Sequence, residues 1–180
     1  MREIRFRDAN SNEKSTIHHF FRKNFGIKAL QPFKDMEFFV KEGKVIEVYA
    51  VPKNNANIIH KMPINVYSAG IPLGTIVKGE FQLEIEGGLV VLPFTDKIIE
   101  VKTDQYLYGK NIYIENVKKV YGNFEKGDTV IILGKNGLHY GVGIALYSSW
   151  DFVSLKPNTV IIRGRVSKPF DRGWYLRKGG

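Results

Sequence analysis

Residues 127–149 constrain the fold more than any other stretch of this sequence. Val130-Ile131-Ile132-Leu133 is apolar on both faces, so it reads as a strand covered from two sides, as in a small barrel. Gly127-Asp128 is a tight-turn pair that starts the strand, and Gly134-Lys135-Asn136-Gly137 turns the chain back. In the return strand Gly141 and Gly143 stand two apart and face the same way. Two missing side chains on one face predict a shallow track that a helix or a ligand backbone can approach closely. Barrel packing alone would account for the same pair.

Beyond the hairpin the chain is basic. Residues 1–96 carry 13 Lys+Arg against 11 Asp+Glu, a balance of +2, whereas residues 97–180 carry 14 against 7, a balance of +7. The last 25 residues hold 7 basic groups and 1 acidic group. A basic patch confined to one end of a nearly neutral chain is an electrostatic footprint for a polyanion, nucleic acid before membrane, because no basic amphipathic helix accompanies it. The chain has no cysteine, which excludes disulfides, thiolate zinc sites and a cysteine nucleophile. No apolar run approaches the ~20 residues of a membrane span, and the polar start is not a signal peptide. The expectation is an intracellular, cytoplasmic protein.

In chain order, Ile4 and Phe6 alternate with charges. Asn10 and Glu13 then form a capping box for a helix whose stripe is Ile17, Phe20, Phe21 and Phe25, with Gly26 as its stop. Residues 37–41 and 44–51 read as a hairpin with the two-residue turn Glu42-Gly43. Asn54 is placed to cap a short helix that ends at Pro63. Residues 67–78 form a turn leading into a strand, residues 81–86 alternate as a half-buried strand, and Gly87-Gly88 turns into a strand at 89–92. His18 and His19 have no carboxylate at ligand spacing and read as structural or solvent-facing, and His60 has no obvious partner and reads as a surface residue.

Pro93-Phe94-Thr95-Asp96 is the boundary, which predicts domains 1–94 and 95–180. Beyond it, 98–101 reads as a strand, Asp104 as the cap of a short helix at 105–108 ended by Gly109, and 112–114 and 119–121 as further short strands. A last strand from Thr159 to Val166 puts Arg163 and Arg165 on one face, and a basic tail with Trp174, Tyr175, Arg177 and Lys178 closes the chain. The fold class is α+β: an N-terminal mixed domain with an antiparallel sheet, followed by a small β-barrel.

Several segments then carry a resemblance. Tyr106-Leu107-Tyr108-Gly109-Lys110-Asn111, Lys126-Gly127-Asp128 before the apolar strand, and Gly141-Val142-Gly143-Ile144-Ala145 with Ser148-Ser149 resemble a PUA domain. Tyr67-Ser68-Ala69-Gly70, Gly74 to Lys78 and Phe81 to Ile85 resemble the N-terminal domain of the Nip-seven family of large-subunit ribosome biogenesis proteins, in an archaeal-type member. The order of segments across two domains carries the match more than any one motif. Gly87-Gly88 stands where eukaryotic members have a longer helical segment. The resemblance implies an RNA-binding assembly factor without catalysis or cofactor, acting in pre-rRNA processing. Its N-terminal domain would dock other assembly proteins, and its PUA domain would bind single-stranded, uridine-rich RNA. The family's basic positions fall on Arg163, Arg165, Lys168 and Arg172, beside the Gly141 and Gly143 track and the Arg177 and Lys178 tail.

The residues themselves show no catalytic constellation. Gly43-Lys44 and Gly109-Lys110 lack the second glycine of a phosphate loop, and Gly141-x-Gly143 lacks the third glycine of a dinucleotide fingerprint. Asp104, Asp128 and Asp151 read as cap or turn residues, and no metal site is predicted. A PUA-bearing subunit of an RNA-modifying enzyme and a protein-interaction scaffold remain alternatives.

Overall fold

In the computed structural model, which describes residues 6–62, 66, 68–165 and 169–178 (the backbone alone for Lys178), Asn10 begins the first helix through a capping box. Its side chain accepts from Glu13 N at 2.9 Å, and Glu13 Oε2 accepts from Asn10 N at 2.8 Å. The chain divides into two compact units, Met1–Val91 and Leu92–Gly180, just before the Pro93 boundary.

In the first unit the order is β1 (Phe6–Asp8), α1 (Ser11–Phe25), β2 (Met36–Lys41), β3 (Ile46–Pro52), α2 (Lys53–Lys61), β4 (Ile71–Val77), β5 (Glu80–Leu83) and α3 (Ile85–Val91). The five strands form one antiparallel sheet in the order β1-β2-β3-β4-β5. The stripe of α1 lies on it: Ile17 and Phe21 are fully buried, and Phe20 meets Phe81 edge-on at 5.0 Å. Arg7 braces the helix start with a two-pronged pair to Glu13, both contacts 2.9 Å.

Four local expectations change here. The β2–β3 turn is longer than two residues, because Lys41 pairs with Glu47 and residues 42–45 form the connection between the strands. A turn at 42–43 would set Lys41 opposite Lys44, whereas the observed register places opposite charges there and keeps Phe39 beside Tyr49. Asn54 is not a cap, since α2 starts directly after Pro52, and Pro63 lies outside the described residues. Gly87-Gly88 is not a turn but the middle of α3. Glycine is a poor helix former, yet a Cβ at Gly87 would stand 2.3 Å from Leu73 O, so only glycine lets this helix lie directly on β4. Residues 89–92 accordingly continue the helix and the 3₁₀ turn after it. His60 is on the surface but partnered, its Nε2 standing 2.9 Å from Asp8 Oδ2.

The second unit holds β6 (Ile98–Val101), β7 (Ile112–Tyr113), β8 (Val117–Tyr121), β9 (Thr129–Leu133), β10 (His139–Ile144), β11 (Val160–Ile162) and α4 (Gly173–Lys178). Four strands run in the order β10-β9-β6-β8, with β6 and β9 parallel and the other pairs antiparallel. β11 pairs with β7, and a bridge from Ala145 to Ile162 ties this pair to the larger sheet. Val130, Ile131 and Ile132 are fully buried, as the double-faced apolar run requires. Around Val130 and Ile132 the core takes in Ile99, Tyr106, Phe124, Phe152, Ile161 and Ile162. The result is the α+β chain with a C-terminal barrel that the sequence predicts.

Candidate nucleic-acid interface

The glycine track in β10 is filled by the protein's own chain. Phe170 O accepts from Val142 N at 2.8 Å, Tyr140 O accepts from Arg172 N at 2.8 Å, and Gly141 bridges to Asp171. A Cβ at Gly141 would stand 1.9 Å from Phe170 O, and one at Gly143 would stand 2.6 Å from Ile162 Cγ2. Both glycines are buried, so the expectation of an open track for a ligand is corrected: the returning C-terminal segment and β11 occupy it.

The same segment uses most of its arginines internally. Arg177 donates from both Nη atoms to Asp171, at 3.0 and 2.9 Å, and also to Leu107 O; Asp171 has no exposed surface. Arg172 donates from Nε to His139 O at 2.9 Å. Burial, with the Arg172 charge second, pushes the His139 imidazole down to about 4. Arg165 lies over the Phe170 ring, 5.0 Å from its centre. Arg163 and Arg165 do not alternate along a paired strand, because β11 ends at Ile162. Gly164 N donates to the Asn111 side chain at 3.0 Å instead of to a ladder. Lys168 and Val166 lie outside the described residues, and Lys178 ends α4. Trp174 is half-buried and meets the more exposed Tyr175 edge-on at 5.3 Å.

Arg163 remains at the surface, in an open groove with Asn111, Leu146, Tyr147, Thr159 and Val160. A second open depression, lined by Gln105, Tyr108, Gly109, Lys110, Asn111 and Tyr113, adjoins it at Asn111, and we take the two as halves of one candidate groove. Asn111 belongs to both halves. Among the described residues no Asp or Glu lines either half, and neither Arg163 nor Lys110 has an ion-pair partner. Tyr108 is 67% exposed, and Tyr113 and Tyr147 show part of their surface. Cations for phosphates and aromatic faces for bases are the two components of a single-strand binding groove.

The elements that hold these side chains are firm. Tyr106, fully buried at the start of the same 3₁₀ turn as Tyr108, donates to Val142 O at 2.5 Å, and its burial raises its phenol well above the usual range. Asp104 holds the N-cap position of that turn, as expected, but its side chain does not cap it: the carboxylate accepts from Tyr140 OH at 2.5 Å instead. Asp128 keeps its turn role, accepting from Glu125 N at 3.0 Å while pairing with Lys97 at 2.6 Å. Of the residues now seen to line the groove, sequence reasoning found only Arg163. The available signal was the interleaving of Tyr108, Lys110, Asn111 and Tyr113. Among the described residues no group of three or more His, Cys, Asp or Glu could hold a metal ion. No helix among them is long and apolar enough to cross a membrane.

Comparison with known proteins places both units. Residues 6–85 match the family described as NIP7/UPF0113, pre-PUA domain, and residues 97–180 match the UPF0113 PUA domain. No curated protein matches the chain. Among solved structures, a hypothetical protein of Pyrococcus horikoshii is 13% identical with a TM-score of 0.65, over 95% of this chain and 98% of its own. A PUA domain protein of Aeropyrum pernix, crystallised as a tartrate complex, is 16% identical with a TM-score of 0.62, over 98% of this chain and 92% of its own. A conserved PUA domain protein of Thermoplasma acidophilum is 13% identical with a TM-score of 0.61, over 95% and 98% of the two chains. At these identities the likeness is one of fold.

Proposed function

The chain belongs to the NIP7/UPF0113 family, and on that premise we propose that it is an RNA-binding factor of large-subunit ribosome assembly and pre-rRNA processing. It acts without catalysis, in the cytoplasm, and holds single-stranded RNA in the groove centred on Asn111. The observation that carries the reading is that groove's composition: Lys110 and Arg163 without ion-pair partners among the described residues, three tyrosines, and no carboxylate in the described lining. The basic excess of residues 97–180 supplies the longer-range attraction that brings a polyanion to it. The antiparallel sheet and helices of the first unit serve as the docking domain for other assembly proteins.

The roles separate by chemistry. Lys110 and Arg163 neutralise phosphates, and Tyr108 offers a face for a base, a stacking contact worth ~1–3 kcal/mol on single strands. Arg177 is left out of the RNA site, because its charge is committed to the buried Asp171. The test is fluorescence anisotropy with a labelled single-stranded oligonucleotide. Tyr108→Ala is expected to weaken binding by about five-fold or more, the lower end of that stacking range, without lowering the melting temperature, since the ring is largely exposed. Unchanged binding by Tyr108→Ala and by Lys110→Ala would place the RNA elsewhere.

A further inference from the structure

Among the described residues Asn111 is the one side chain common to both halves of the groove, and its amide is oriented. Gly164 N–H can only donate, so the group 3.0 Å from it must be the amide oxygen Oδ1. That leaves Nδ2, with two hydrogens to give and no partner among the described residues, as the free polar end of a side chain that lines the groove. The contact cannot easily slip. A Cβ at Gly164 would stand 2.1 Å from Gly109 O, so the 163–165 segment lies directly on the backbone next to Asn111. On the other side, pairing of Tyr113 with Val160 and Ile112 with Ile162 fixes the adjoining strand. A held donor with cations and aromatic faces around it is the arrangement that reads a splayed-out base on its edge.

We propose that Asn111 determines base specificity by donating from Nδ2 to a carbonyl oxygen on the base edge. A strand of uracil, with oxygen at position 4, is then favoured over one of cytosine, which carries an amino donor there. The proposal rests on the reading that the groove holds a single strand. It differs from a structural role for Asn111, which needs Oδ1 alone and is indifferent to Nδ2.

Asn111→Asp separates the two. The carboxylate keeps an oxygen for Gly164 N–H and replaces the free donor with an acceptor. Oligouridine and oligocytidine are titrated against the whole protein and the variant, with thermal melting as the check on folding. The wild type is expected to prefer oligouridine by about tenfold, in the range of a single polar base contact. The variant, with both affinities lowered by its added negative charge, is expected to lose or reverse that ratio. A substrate-side arm needs no variant: an oligonucleotide with uracil replaced by 2-pyrimidinone, which lacks the oxygen at position 4, is expected to bind the wild type about as weakly as oligocytidine. A ratio unchanged in Asn111→Asp, a wild-type ratio near one, or full binding of the 2-pyrimidinone strand would overturn the proposal while leaving the groove reading standing. Failure of the wild type to bind any strand would overturn both.

Discussion

At the scale of single residues, two buried polar groups make the second unit sensitive to change. Asp171 has no exposed surface and meets both Nη atoms of Arg177. Arg177→Ala strands that carboxylate without its partner, a loss of ~3–5 kcal/mol for fully buried pairs; the lower end of that range is expected here because the arginine is partly exposed. Urea denaturation checks it, and the pair replacement Asp171→Asn with Arg177→Met should recover part of the loss. His139 responds to pH. Its folded value of about 4 lies below the ~6.5 of an unfolded histidine. Between these values the unfolded chain binds more protons, so stability rises with pH. The His139 contribution is complete above ~6.5 and is lost as pH falls towards 4. His139→Gln should flatten the melting-temperature profile across that window, and an unaltered slope would mean that the ring titrates normally.

Elements decide which parts of the fold could be read in advance. α1 was legible because its signals are local: a capping box and an aromatic stripe at helical spacing. β9 was legible because an apolar run on both faces has few destinations. α3 was not, since Gly87 is favoured in it by the close approach to β4, a tertiary fact that overrides propensity. The β10 track was half legible. The need for close approach was visible at Gly141, but nothing local says that residues 170–172, far along the chain, supply the approaching backbone. Gly141→Ala should therefore displace the C-terminal segment and break its bonds to Tyr140 and Val142. Overpacking of this kind costs ~1–3 kcal/mol. Faster tryptic cleavage at Arg172 and Arg177 is the expected sign, and cleavage at the wild-type rate would show that the segment docks by other contacts.

For the whole molecule, the division into two units, each with its own sheet, matches the uneven charge. Residues 92–180 expressed alone are expected to fold around their own cluster and keep most of the RNA affinity, while residues 1–91 bind none. Comparable RNA binding by the first unit would end that division of labour. The candidate site was less legible than the fold because it is assembled from afar: Asn111 and Gly164 are 53 residues apart, and the cations that face solvent cannot be told from those turned inward by counting charge. Arg163, Arg172 and Arg177 look alike in sequence and differ only in what surrounds them. The central claim, that RNA phosphates lie on Lys110 and Arg163, is tested most directly by the salt dependence of binding. Each phosphate contact on a single strand contributes about −0.7 to the slope of log K against log salt. Lys110→Ala combined with Arg163→Ala should make that slope shallower by ~1.4, whereas Lys28→Ala on the first unit should leave it unchanged. A double variant with the wild-type slope would contradict the account.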